Sequence, residues 1–107
     1  MMKWTRPQGP TNPIASWIGV GLPSVVKRLG GIWIGDEDSG VIPVSQSKAY
    51  EIASRLLSEG ALVGRHVLEV TPDCLFLRKV GINEERWFFI RLVLRRMIVK
   101  KKALEIS

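Results

Sequence analysis

The stretch Arg86 to Ile106 reads RWFFIRLVLRRMIVKKKALEI, and its conformation decides what kind of surface the chain presents. Twenty-one residues without glycine or proline favour a helix, whereas the Trp, Phe, Ile and Val content favours strands. At 100° per residue the apolar side chains point all round a helix. At 180° Phe88, Ile90, Leu92 and Leu94 fall on one face, which predicts a strand over Arg86 to Leu94. The Arg95-Arg96 pair then marks a break, with Met97 to Ile106 a further strand or a short tail helix.

Working backwards, Arg65 to Thr71 and Cys74 to Val80 flank Pro72-Asp73 and read as a hairpin, since proline presets the first turn position and aspartate suits the second. Its register sets Thr71 opposite Cys74 and His66 opposite Lys79. Ahead of it, Ala49, Ile52, Ala53, Leu56 and Leu57 recur at steps of three and four, which predicts the principal helix at about 46–59. Ser45 or Ser47 would cap it and Gly60 would end it. Earlier still, Ile32-Trp33-Ile34 and Val41 to Val44 flank a polar loop and predict another hairpin, whose second strand must run at an edge or stop early at Pro43. Ser24 to Leu29 fits one or two helical turns closed by Gly30-Gly31.

Residues 1–23 hold Pro7, Pro10, Pro13 and Pro23 with three glycines, too many for a long helix or a central strand. They read as an irregular arm, whose apolar patch Ile14, Trp17, Ile18 and Val20 should dock on the core or on a partner. Residues 24–107 then form one α+β domain, with an antiparallel sheet of four or five strands.

Composition narrows the function. With 46% hydrophobic and 24% charged residues the chain should fold rather than stay disordered. No run is apolar enough to span a bilayer, and prolines stand where an export signal needs its apolar stretch. One cysteine, Cys74, and one histidine, His66, are too few for an intramolecular disulfide or most metal sites; a reducing, cytoplasmic setting fits, with no cofactor or metal.

Charge points to a partner. Residues 1–77 carry seven basic and seven acidic side chains, so the net +6 arises beyond them. Arg78, Lys79, Arg86, Arg91, Arg95, Arg96, Lys100, Lys101 and Lys102 crowd segment 78–102 against Glu84 and Glu85. A polyanion or an acidic protein surface would be drawn there, although such a segment also serves solubility alone. On paired strands, Trp87, Phe89, Arg91 and Arg95 would line up beside Cys74, Phe76 and Arg78. Aromatic rings and guanidinium groups in that order suit single-stranded nucleic acid, by base stacking and phosphate neutralisation. The expected contact residues are therefore Arg78, Trp87, Phe89, Arg91, Arg95, Arg96, Lys100, Lys101 and Lys102, without a catalytic group. The competing class is a protein-interaction module in which tryptophans anchor an acidic partner, and a homo-oligomer is compatible with four tryptophans in so short a chain.

Other motifs weigh little. Gly19-x-Gly21-x-x-Ser24 lacks the third glycine and the long helix of a phosphate loop. Asp36, Glu37 and Asp38 lack the terminal glutamate of a calcium loop, since Ser47 stands there. Cys74 and His66 sit about five residues apart along their hairpin, roughly 17 Å, too far for a nucleophile and its base. Glu51, Glu69 and Asp73 would need to meet in space to give acid–base chemistry.

Overall fold

The computed structural model describes Trp17, residues 19–59 and residues 64–106. The expected arm therefore lies mostly outside the described residues, as do Ile14 and Ile18 of its apolar patch and the Gly60 stop. Trp17 itself is buried, at 2% exposure, and Val20 packs beside it.

The chain runs α1 (Leu22–Arg28), β1 (Ile32–Ile34), a 3-10 turn (Gly35–Glu37), β2 (Ser39–Ile42), α2 (Gln46–Ser58), β3 (His66–Val70), β4 (Leu75–Lys79) and α3 (Glu84–Ile106). The four strands form one antiparallel sheet in the order β1-β2-β4-β3. The fold is thus α+β, as the sequence implies.

Local signals explain most elements. Pro23 occupies the first turn of α1, where a missing N–H costs nothing, so the helix starts ahead of Ser24. Gly30 closes it at φ +80°, and the Gly31 N–H donates to the Val26 carbonyl at 2.8 Å. The first hairpin turns through the 3-10 segment and Asp38 in the left-handed region. Its second strand lies two residues earlier than the Val41 to Val44 reading, because Ser39 and Gly40 pair with Ile34 and Trp33 while Pro43 ends the ladder. Ser45 caps α2, its hydroxyl accepting the Lys48 N–H at 3.3 Å. Ala49, Ile52 and Leu56 turn inward, but Leu57 stays 62% exposed. The second hairpin has the expected register: His66 pairs with Lys79, and the Thr71 N–H donates to the Cys74 carbonyl.

The large departure is α3. Arg86 to Leu94 is no strand, and Met97 to Ile106 is neither a further strand nor a separate tail; both belong to one helix of 23 residues, longer than α2. Asn83 caps its start, with its side-chain oxygen accepting the Arg86 N–H at 2.7 Å, and Glu84 and Glu85 complement the positive end of the helix dipole. Trp87, Ile90 and Leu94 are buried and Ile98 packs beside them, at steps of three, four and four. Each of the three buried side chains contributes on the order of 1.5–3 kcal/mol of transfer free energy.

The sheet demands this cover because both its faces are apolar. Ile42, Leu75 and Leu77 meet α1, α2 and Trp17 on one side. Val41, Cys74 and Phe76, with Ile32 and Ile34, meet α3 on the other. Among the described residues, no helix is long and apolar enough to cross a membrane.

Candidate partner-binding face of the C-terminal helix

Because α3 is a helix lying on the sheet, the two aromatic–basic rows expected from paired strands do not form. Trp87 is buried at 2% exposure, its ring meeting Phe76 edge-on at 5.8 Å and its N–H donating to Glu69 at 2.8 Å. A base has no access to its face. This corrects the expectation that Trp87 stacks on a ligand.

Most of the arginines are spent inside the molecule. Arg78 bonds Glu84 at 2.8 Å, donates to the Ile82 carbonyl at 2.6 Å and lies 3.7 Å from Glu69. Arg91 reaches the other Glu69 oxygen at 3.4 Å, and Arg95 reaches Asp73 at 3.1 Å while lying over the Phe76 ring. Arg86 pairs with Glu37. Lys101 donates to the Gly30 carbonyl at 2.9 Å, pinning the end of α3 to the loop after α1. Arg78, Trp87, Arg91, Arg95 and Lys101 therefore hold α3 to the sheet and its loops.

Phe89, Arg96, Lys100 and Lys102 all face outward. The three cations make no ion pair among the described residues. Around them stand large apolar side chains that the strand reading hid or assigned to the core: Phe88 at 57% exposure, Leu92 at 51% and Val99 at 66%, with Phe89 at 59%. Once Trp87, Ile90, Leu94 and Ile98 are recognised as the buried stripe, a 100° wheel sets Leu92 and Arg96 on the opposite side, with Phe88 and Val99 along one flank and Phe89 on the other. The capping signal Asn83-Glu84-Glu85 would have revealed this in the sequence.

The nucleophilic and acid–base groups are arranged otherwise. Cys74 is buried, and burial pushes its thiol above the ordinary value against the smaller pull of the Thr71 hydroxyl. It borders a cleft of about 260 Å³ with Pro43, Asp73, Arg95 and Lys102. Hydrogen bonding from Thr71, then from Arg95, holds the Asp73 carboxyl below its usual range. The His66 Nε2–H donates to the Asp38 carbonyl at 3.0 Å and the ring packs on Trp33, five positions along the hairpin from Cys74. Glu51 pairs with Lys48 on α2, across the sheet from the α3 partners of Glu69, so Glu51, Glu69 and Asp73 do not converge. Among the described residues, no group of three or more His, Cys, Asp and Glu side chains is placed to hold a metal ion.

No protein-family model, curated protein or solved structure matches the chain.

Proposed function

We propose that the chain is a non-enzymatic interaction module that docks through the outer face of α3 on a protein surface that is apolar at its centre and acidic at its rim. The observation that carries this reading is the exposure of Phe88, Leu92 and Val99 on a helix whose other side is already committed to the core. Helices that lie in a partner's groove present anchors at such spacings, and a cluster of exposed large apolar side chains marks contact surfaces. Arg96 and Lys100, interleaved with the anchors, select for acidic groups around the groove. A cytoplasmic, reducing setting goes with a single buried free thiol.

Nucleic acid is the second reading, supported by Arg96, Lys100 and Lys102, which are exposed and make no ion pair among the described residues. It is the weaker of the two. Helices cover both faces of the sheet, so no flat aromatic platform is left for stacking bases.

The test compares affinity purification with the wild-type chain and a Leu92→Glu variant, alongside fluorescence anisotropy with single-stranded DNA, duplex DNA and RNA across a salt series. A stoichiometric protein complex that resists salt and is lost with Leu92→Glu supports docking. Oligonucleotide binding that falls steeply with salt, and is lost on replacing Arg96, Lys100 and Lys102 by alanine, transfers the function to nucleic acid.

A further inference from the structure

We infer that the surface docking on α3 is the α3 of a second copy of this chain, packed antiparallel about a two-fold axis at Leu92. This rests on the docking reading above and names its partner.

One ridge of the helix carries the pairing. Glu84, Phe88, Leu92, Arg96 and Lys100 follow one another at steps of four, and every one of them is exposed. Such i, i+4 rows are the ridges by which helices pack, and two of them interdigitate when the helices cross at roughly −50°. Read from either end about Leu92, the ridge is its own complement. Four residues away, Phe88 on one copy meets Arg96 on the other, a cation over an aromatic face. Eight residues away, Glu84 meets Lys100. At the centre Leu92 meets Leu92, a contact each copy needs because half of that side chain is left in water.

Charge fixes the direction. The acidic residues of α3 before its centre are Glu84 and Glu85, whereas Lys100, Lys101 and Lys102 crowd its far end. A parallel pair would set lysines against lysines and glutamates against glutamates. An antiparallel pair sets each lysine end against a glutamate end, and two identical helices then close a dimer with two-fold symmetry. Glu84 is free to serve both neighbours: Arg78 takes Oε1 at 2.8 Å, and the side chain remains 85% exposed. The +6 charge of each chain opposes the encounter, but at physiological ionic strength it is screened over about 8 Å. The partner chemistry proposed above, apolar centre and acidic rim, is thus supplied by the same helix.

Sedimentation equilibrium of the full chain tests this directly. A monomer–dimer equilibrium is expected for the wild type, a monomer for Leu92→Glu, and a dimer weakened about ten-fold or more for Lys100→Glu, which turns two attractive pairs into repulsive ones. Mixing Lys100→Glu with Glu84→Lys should restore association, because the heterodimer regains opposite charges at both ends while neither homodimer has them. Independently of those charges, oxidised Leu92→Cys should form a disulfide-linked dimer and Val99→Cys should not, since residues seven positions from the axis on opposite copies lie roughly 20 Å apart. A wild-type chain that stays monomeric at high concentration, or Leu92→Cys that gives no cross-link, overturns the inference. If that chain still captures a different protein through Leu92, the docking reading stands without the dimer; if it captures nothing, both fall.

Discussion

The Trp87 indole N–H donates to a Glu69 carboxylate oxygen at 2.8 Å, joining the first turns of α3 to the edge strand β3. Glu69 also faces Arg78 and Arg91, so one carboxylate gathers an indole and two guanidinium groups over the rim of the core. Glu69→Ala removes the acceptor and leaves the buried indole N–H unpaired, which should lower unfolding free energy by about 2–3 kcal/mol. Glu69→Gln keeps an acceptor and should cost clearly less. Urea unfolding of both, with Trp87→Phe closing a double-mutant cycle, should return a coupling on the order of 1 kcal/mol between the two residues. Additive effects would show that the contact contributes nothing of its own.

Leu92 and Leu94 distinguish the helix from the strand that the alternating pattern suggested. On a strand they share one face; on α3 Leu94 is fully buried and Leu92 is half in water. In dilute solution, Leu94→Ala should destabilise the chain by about 2–5 kcal/mol, by lost burial and a cavity against Phe76. Leu92→Ala should cost less than about 1 kcal/mol. Similar losses at the two positions would contradict the helix.

The contrast shows what the sequence made legible. Both hairpins and α2 carry short-range signals: a Pro72-Asp73 turn, a serine cap and an apolar stripe at helical spacing. These elements lie close to where the residues place them, and the register of the second hairpin is the expected one. The last stretch misled because α3 is apolar on more than its core side. Phe88, Phe89, Leu92 and Val99 fill the wheel outside the buried stripe, so periodicity lost its meaning and β propensity took its place. What prevailed was tertiary: a sheet with two apolar faces needs a second cover, and a capped 23-residue segment without glycine or proline supplies it. The candidate site suffered for the same reason. Basic residues were correctly located in sequence, but which of them are neutralised by Glu69, Asp73 and Glu84 depends on contacts between distant elements.

Two glycines mark where backbones approach too closely for a side chain. A Cβ on Gly31 would overlap the Val41 carbonyl oxygen and come within 2.7 Å of Val26 Cγ1; one on Gly40 would lie 2.6 Å from both the Ile32 carbonyl oxygen and the Trp33 ring. Gly31→Ala and Gly40→Ala should each cost at least about 2 kcal/mol in urea unfolding, by forcing the α1 and β1 contacts apart. Gly35→Ala is the control, with no atom within 4 Å of its Cβ and no positive φ, and should change stability by less than about 0.5 kcal/mol. Equal effects at the three sites would mean that the crowding is relieved without cost.

Glu59 gives the fold a specific dependence on acid. Its carboxylate accepts the Trp17 backbone N–H and the Arg55 guanidinium, and Arg55 lies 4.0 Å over the Trp17 ring, so α2 and the incoming chain are clamped together. Burial opposes the charge on Glu59, but the Trp17 N–H and Arg55 outweigh it and hold the carboxyl below its ordinary value. A group depressed on folding binds fewer protons in the folded chain than in the unfolded one, so stability rises with pH between the two values. The contribution is complete above the unfolded value of about 4.3 and disappears as pH falls through the lowered folded value. Glu59→Gln lacks this titration. Urea midpoints measured from pH 7 down to pH 2 should show the wild type more stable near neutrality, with the gap between the two curves narrowing as pH falls below the unfolded value and through the lowered folded one. A constant gap across that range would mean that the clamp works through shape and neutral hydrogen bonds, with no part played by the charge.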